Sequence, residues 1–234
     1  MSQNRKTVLI TGDRTGIGRY LSEYYLEKGY NVAGCSRTTS DLTHENYTHF
    51  LCNVGKEAEV IKMVRAAKKR FGTINILINN AGKASLNHSI LTPASTINDL
   101  FKTNYLGSFL FSRECSKLMI KQKWGRIVNF SSIAVPLDLE GELAYASTKS
   151  AIEKMSRILS KELSKYNITV NTIGPTPIYT DLIKVVPKEK VHEIINLQTL
   201  KRFGEFQDVS NVIDFFIDEN SSFITGQKIY LGGL

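Results

Sequence analysis

Lys6-Thr7-Val8-Leu9-Ile10-Thr11 is a short apolar, β-branched run of the kind that makes a strand buried on both faces. Gly12-Asp13-Arg14-Thr15-Gly16-Ile17-Gly18 follows at once, and Tyr20, Leu21, Tyr24, Tyr25 and Leu26 then recur at helical spacing. Strand, glycine-rich turn and helix in that order make a βα unit that accepts a dinucleotide. Gly12 permits a tight exit from the strand, Gly16 lets a pyrophosphate approach the backbone, and Gly18 allows the helix to pack close to the strand. The pyrophosphate would sit at the helix N-terminus, where free N–H groups and the dipole favour an anion.

Beyond this unit, strands and helices alternate with no linker or low-complexity tract. Strands are predicted at residues 31–36, 48–53, 74–79, 126–131, 168–173 and 227–231. Helices are predicted at 55–71, around 96–121, from the segment holding Tyr145 to about Tyr166, and at 187–200 and 208–218. Near-continuous apolar strands separated by helices argue for an α/β fold: a doubly wound, parallel, Rossmann-type sheet of about seven strands flanked by helices on both faces. We read residues 1–234 as a single dinucleotide-binding domain, with 182–204 as a candidate substrate lid. Sheets of this kind bind ligands beyond the carboxyl ends of their strands, at the point where strand order reverses.

Charge and cysteine usage narrow the function class. The net charge of +8 invites a nucleic-acid reading, but its distribution argues against one. Lys62, Arg65, Lys68, Lys69 and Arg70 follow one predicted helix, and Lys117, Lys121 and Lys123 another, without interleaved aromatics or a binding motif. Solvated helix faces explain them. Such a surface still attracts anionic ligands. No apolar run reaches membrane-spanning length, and the first residues lack the apolar stretch of a secretory signal. Cys35, Cys52 and Cys115 are odd in number and widely spaced, as expected of reduced thiols in a cytoplasmic chain. His44, His49, His88 and His192 offer no metal-ligand spacing, so no metal is expected.

Tyr145-Ala146-Ser147-Thr148-Lys149 places a phenol and an ammonium one helical turn apart on one face. A free phenol, with a pKa of about 10, is a poor acid or base at neutral pH. A positive charge about 4 Å away, at an effective dielectric near 20, favours the phenolate by roughly 4 kcal/mol. That is about three pKa units, enough to bring Tyr145 towards working pH.

Taken together these residues resemble the short-chain dehydrogenase/reductase family over essentially the whole chain. The family's T-G-x-x-x-G-x-G is Thr11 to Gly18, and its N-N-A-G is Asn79-Asn80-Ala81-Gly82. Its Y-x-x-x-K is Tyr145 and Lys149, and its catalytic Ser, thirteen residues before the Tyr, falls on Ser132. The helix Asn matches Asn104, N-x-x-x-P matches Asn171 to Pro175, and I-T-G-Q matches Ile224 to Gln227. The resemblance implies an oxidoreductase that interconverts a carbonyl and a secondary alcohol by hydride transfer. Tyr145 would be its acid/base, Lys149 would lower the Tyr145 pKa and hold the nicotinamide ribose, and Ser132 would hold the substrate oxygen. Asn104 would anchor a water that relays protons. It also implies cofactor contacts at Gly12, Arg14, Thr15, Gly16, Ile17, Gly18, Asn80, Ala81, Gly82, Pro175, Ile178 and Thr180, besides Tyr145 and Lys149. Non-catalytic dinucleotide-binding scaffolds or sensors share this fold, but often lack the Tyr or the Lys.

Cofactor choice can be argued from charge. A site for NAD(H) places Asp or Glu at the end of the second strand to accept from the ribose hydroxyls. Here the stretch is Gly34-Cys35-Ser36-Arg37-Thr38, with no carboxylate before Asp41. Ser36 can bond a 2′-phosphate and the Arg37 guanidinium can meet it, with Arg14 as a second positive charge. NADP(H) is therefore preferred and NAD(H) left open, with Asn53 and Val54 expected to line the adenine pocket.

Departures from the family pattern fall near the substrate. Thr176 stands where a Gly usually follows Pro175, Lys83 follows the N-N-A-G, and Val135-Pro136 replaces a common glycine after Ser132. Thr180-Asp181-Leu182, Lys201-Arg202-Phe203-Gly204 and Gly232-Gly233 resemble, within the family, the bacterial 3-oxoacyl-acyl-carrier-protein reductases. That resemblance implies an acyl-thioester substrate and an acidic acyl carrier protein as partner. Lys123 retains one of the basic docking positions beside the cleft, while Tyr166 occupies the second. Asp138, Glu140 and Glu142 are read as solvated loop acids. The alternative substrate is a free small ketone, sugar or secondary metabolite. The family often forms homotetramers or dimers through its two long helices, so Leu106, Phe109, Leu110, Ile152, Met155 and Leu159 are candidates for core or interface.

Overall fold

The computed structural model describes residues 5–181 and 183–233. Its centre is a seven-stranded parallel sheet. The strands are β1 (Thr7–Thr11), β2 (Asn31–Ser36), β3 (Tyr47–Leu51), β4 (Ile76–Asn79), β5 (Gly125–Phe130), β6 (Ile168–Gly174) and β7 (Lys228–Tyr230). The helices are α1 (Gly16–Glu27), α2 (Glu57–Phe71), α3 (Ala94–Leu100), α4 (Gly107–Gln122), α5 (Ala134–Leu137), α6 (Leu143–Leu163), α7 (Lys188–Leu197) and α8 (Phe206–Ile217).

The apolar runs read as strands are buried on both faces because helices cover both. β1, β4, β5 and β6 have no exposed residue. Successive side chains of β1 separate to the two sides: Leu9 joins Val60, Met63, Phe111 and Met119 of α2 and α4. Val8 and Ile10 join Leu21 and Tyr25 of α1 with Ile213 and Phe216 of α8. Lys62, Arg65, Lys68, Lys69 and Arg70 are exposed along α2, consistent with a solvated face. Leu110, Ile152 and Met155 are buried within the chain itself. No helix among the described residues is long and apolar enough to cross a membrane. The thiols of Cys35, Cys52 and Cys115 are free and buried.

The strand order is β3-β2-β1-β4-β5-β6-β7. Order reverses between β1 and β4, so the connections leaving these two strands diverge and open a crevice beyond their carboxyl ends. The helix expected around 96–121 is not continuous. A π-helical turn, Phe101–Leu106, joins α3 to α4 and carries Asn104. Hydrophobic periodicity is blind to one widened turn, and such turns often mark functional sites.

Gly34 in β2 leaves room for the side chain of Asp13. An ideal Cβ at Gly34 would fall 1.8 Å from Asp13 Oδ2. That oxygen accepts from the Tyr47 hydroxyl and lies 2.8 Å from His49 Nδ1, pinning the glycine-rich turn to β3. Gly34→Ala is therefore expected to lower stability by about 1–3 kcal/mol in urea unfolding, as overpacking does. Combined with Asp13→Gly it should cost less than the sum of the two single changes. Strict additivity would show that the two positions do not compete for space.

Candidate active site

The crevice is a cleft of about 900 Å³. The glycine-rich turn forms one wall. Gly12 has φ +75°, and a Cβ there would come within 3.0 Å of the Ala81 Cα. Gly18 lies outside the lining, packed so closely that a Cβ would fall 2.1 Å from the Gly12 carbonyl oxygen. Thr15 is the N-cap of α1 but makes no side-chain cap bond, which leaves first-turn N–H groups without an intrahelical partner. Arg14, Thr15, Gly16 and Ile17 line the cleft, and Thr180 packs over Gly16, 3.2 Å from where its Cβ would be. On the facing side, Asn80 Nδ2 donates to the carbonyls of Thr11 (2.9 Å) and Gly12 (3.2 Å), and Ala81 N donates to Thr11 Oγ1 (3.0 Å). Ser36, Arg37, Asn53, Val54, Asn80, Ala81, Gly82, Pro175 and Ile178 also line the cleft.

Ser132 stands just beyond β5, and Tyr145 and Lys149 sit one turn apart in the first turns of α6; all three line the cleft. The Ser132 hydroxyl accepts from Ala134 N at 3.2 Å and, from its place near the Tyr145 phenol, favours the ionised form. Burial is the larger effect, and with the Glu142 charge it pushes Tyr145 up to about 12. This reverses the direction expected from the sequence. Lys149 Nζ donates to the Phe130 carbonyl at 2.8 Å and lies over the Tyr145 ring, 5.7 Å from its centre. Burial lowers Lys149 itself to about 8. A spacing rule counts the attraction between the two groups but not the loss of water around both, and here desolvation wins.

Asn104 is fully buried and does not line the cleft. Its Nδ2 donates to the Lys83 carbonyl (3.0 Å) and to Thr148 Oγ1 (2.9 Å), and its Oδ1 accepts from Lys83 N (2.8 Å). The π-helical turn is thereby tied to α6 between Tyr145 and Lys149. A Cβ built on Gly82 would fall 3.4 Å from Asn104 Oδ1 and 3.6 Å from Lys149 Nζ, so the two side chains flank one spot.

Glu142 is not a solvated loop acid. It is 6% exposed, lines the cleft, and immediately precedes α6, three residues before Tyr145. Its Oε2 is buried with no hydrogen-bond partner among the described residues, and burial raises the carboxyl to about 7. Thr176 Oγ1 is a second buried, unpartnered group on the cleft lining. The sequence carried one signal for Glu142, its i, i+3 relation to Tyr145 at the start of the same helix.

At the β2 end, Arg37 and Arg14 are exposed on the lining and make no hydrogen bond or ion pair among the described residues. Asp41 is paired with Arg19 instead. The Ser36 hydroxyl donates to the Thr38 carbonyl at 2.5 Å, which engages its single proton within the loop. Of the 182–204 segment, Ile183, Val186 and Ile194 line the cleft, while Leu182 lies outside the described residues.

The short chain dehydrogenase family model matches residues 6–191. The chain belongs to that family. It is 29% identical over 238 residues to the 3-oxoacyl-[acyl-carrier-protein] reductase FabG of Staphylococcus epidermidis, covering 97% of this chain and 98% of that protein. Among solved structures, ElxO with NADP bound superposes with a TM-score of 0.89 at 28% identity, covering 97% of each chain. The ligand-free aldohexose dehydrogenase of Thermoplasma acidophilum superposes with a TM-score of 0.89 at 25% identity, covering 98% of this chain and 94% of that one. The membership accounts for the fold and makes the chain an oxidoreductase. The cleft suits a dinucleotide on its own features too: glycines where a Cβ would intrude, unsatisfied N–H groups at the start of α1, and the orphaned Thr176 hydroxyl.

The buried Glu142 carboxyl carries a stability signature. The unfolded chain loses this proton near 4.5 and the folded protein near 7, so folding is disfavoured progressively as pH rises between those values. Above pH 7 the full penalty, about 3 kcal/mol from the size of the shift, is present. Glu142→Gln is expected to melt higher than the parent at pH 8, with the gap closing by pH 4.5. A gap that does not change with pH would rule out ionisation of Glu142 as its source.

Proposed function

We propose that the protein is an NADP(H)-dependent oxidoreductase that reduces a carbonyl to a secondary alcohol, with Tyr145 as proton donor. The observation that carries this reading is the convergence of Ser132, Tyr145 and Lys149 on the wall of the cleft that begins at the glycine-rich turn. Bound NADPH supplies the hydride. Gly12, Thr15, Gly16, Ile17, Asn80, Ala81, Gly82, Pro175, Ile178 and Thr180 would hold its pyrophosphate and nicotinamide half, and Asn53 and Val54 its adenine. Arg37 and Arg14 supply permanently charged donors for a 2′-phosphate. No carboxylate stands at the end of β2 to prefer a free ribose hydroxyl, and a similar solved structure holds NADP.

The ionisation of the site favours the reductive direction. A phenol at about 12 is fully protonated at neutral pH and still acidic enough to donate to a developing alkoxide. Ser132, with its single proton turned to the same substrate oxygen, would hold that oxygen beside the phenol. Lys149, mostly cationic below pH 8, holds a positive charge behind Tyr145, and Asn104 fixes the π-helical turn against α6 so that Lys149 keeps its place. In the oxidative direction Tyr145 must first lose its proton, which calls for high pH.

The similarity to FabG supports a 3-oxoacyl thioester as substrate, delivered by an acidic carrier protein. One placement favours the second reading, a free small carbonyl. Lys123 caps α4 two residues before β5 begins, and Tyr166 precedes β6 in the same way. Both lie at the amino ends of the strands, across the sheet from the cleft rather than beside it.

Tyr145→Phe is expected to bind NADPH as the parent does, by fluorescence titration, while turnover falls at least about a hundredfold. Undiminished turnover would end this mechanism. Arg37→Ala is expected to raise KM for NADPH about tenfold or more while leaving KM for NADH nearly unchanged. Equal effects on the two cofactors would remove Arg37 from phosphate recognition.

A further inference from the structure

We propose that Glu142 is the substrate-recognition group of the cleft, and that the substrate is a small carbonyl compound bearing a hydroxyl next to the carbonyl. This rests on the carbonyl-reductase reading above and names its substrate class. The starting point is a residue that does none of the work its position offers. Glu142 is the N-cap of α6, where a carboxylate ordinarily accepts from first-turn N–H groups, yet its side chain makes no cap bond. It is nine-tenths buried, faces the cleft, and leaves Oε2 without a partner among the described residues. A buried carboxyl with an unmet oxygen costs stability unless a ligand supplies the missing bond.

The position of Glu142 says where that bond would form. Glu142 caps the helix that carries Tyr145 three residues on, both side chains line the same cleft, and the Glu142 charge acts on the Tyr145 phenol. The group it meets is therefore close to the carbonyl that Tyr145 protonates. An ionised carboxyl needs a donor there, and a protonated one tolerates a group that both donates and accepts; a hydroxyl satisfies both states. An ammonium is disfavoured because Lys83 and Lys149 line the same cleft. A 3-oxoacyl thioester presents a second carbonyl acceptor there, which only the protonated carboxyl can meet, whereas a hydroxyl is met in both states. Ser132, Tyr145 and Glu142 thus form a three-point polar corner for a hydroxyketone or an open-chain polyol carbonyl.

The test compares ligands that differ by one hydroxyl. Saturation-transfer NMR with the parent protein, alone and with NADP+, should detect 2,3-butanediol far more strongly than 2-butanol. Glu142→Leu should lose that preference while keeping its circular dichroism spectrum. Glu142→Gln, which keeps the shape and one acceptor, should retain part of it. In turnover with NADPH, kcat/KM for acetoin over 2-butanone should be at least about 100 in the parent, as for sites built to bond a substrate hydroxyl, and fall to within about threefold of unity in Glu142→Leu. A parent without diol preference, or a preference unchanged in Glu142→Leu, would overturn the proposal. Acetoacetyl thioester turned over better than acetoin, with the ratio unmoved by the Leu variant, would overturn it while sparing the carbonyl-reductase reading. Glu142-dependent diol binding without turnover of any carbonyl would uphold the subsite and sink that reading instead.

Discussion

The architecture of the cleft depends on a belt of buried amides across the carboxyl ends of the central strands. Asn79 and Asn129 are register partners on β4 and β5, and Asn79 Nδ2 donates to Asn129 Oδ1 at 2.7 Å. Asn129 Nδ2 passes the connection to Ser156 on α6 at 2.8 Å, and Asn79 reaches Ser112 on α4 at 3.0 Å. Asn80 then ties the exit of β4 to the exit of β1 through the Thr11 and Gly12 carbonyls. These bonds set one relative position for five elements, β1, β4, β5, α4 and α6, and of the belt's buried side-chain atoms only Asn79 Oδ1 lacks a partner among the described residues. The glycine-rich turn, Ser132 and the start of α6 inherit their places from it.

Within that frame, exclusion of water governs the chemistry more than any charge pair. Three ionisable groups on one wall move in the direction burial dictates: Tyr145 up, Lys149 down, Glu142 up. Each is displaced toward its neutral form, because the crevice offers little solvent and few compensating partners. A site tuned this way keeps the Tyr145 phenol protonated at neutral pH. It also holds in Glu142 a carboxyl whose protonation can follow the ligand it meets.

Much of this was readable from the chain. Buried strands, a glycine-rich turn and amphipathic helices follow local rules of period and turn chemistry, so every strand of the sheet was anticipated within two residues. The nearness of Tyr145 and Lys149 follows from helix geometry alone. The π-helical turn at Phe101–Leu106 was not readable, because one widened turn barely alters the hydrophobic pattern that announces the helix. Neither was the burial of Glu142, because one acid in a polar loop looks like another until the fold buries it.

By itself, then, the sequence determined the α/β class, the family and the residue types that can carry hydride-transfer chemistry, since these rest on short-range spacing and on motifs whose members are close along the chain. The tertiary structure alone decided which polar groups lose water, which keep partners, and which wall each one joins. Those outcomes depend on contacts between segments distant in sequence, such as Phe130 with Lys149 and Asn104 with Thr148. Desolvation is a property of the whole packed crevice, and no local pattern encodes it.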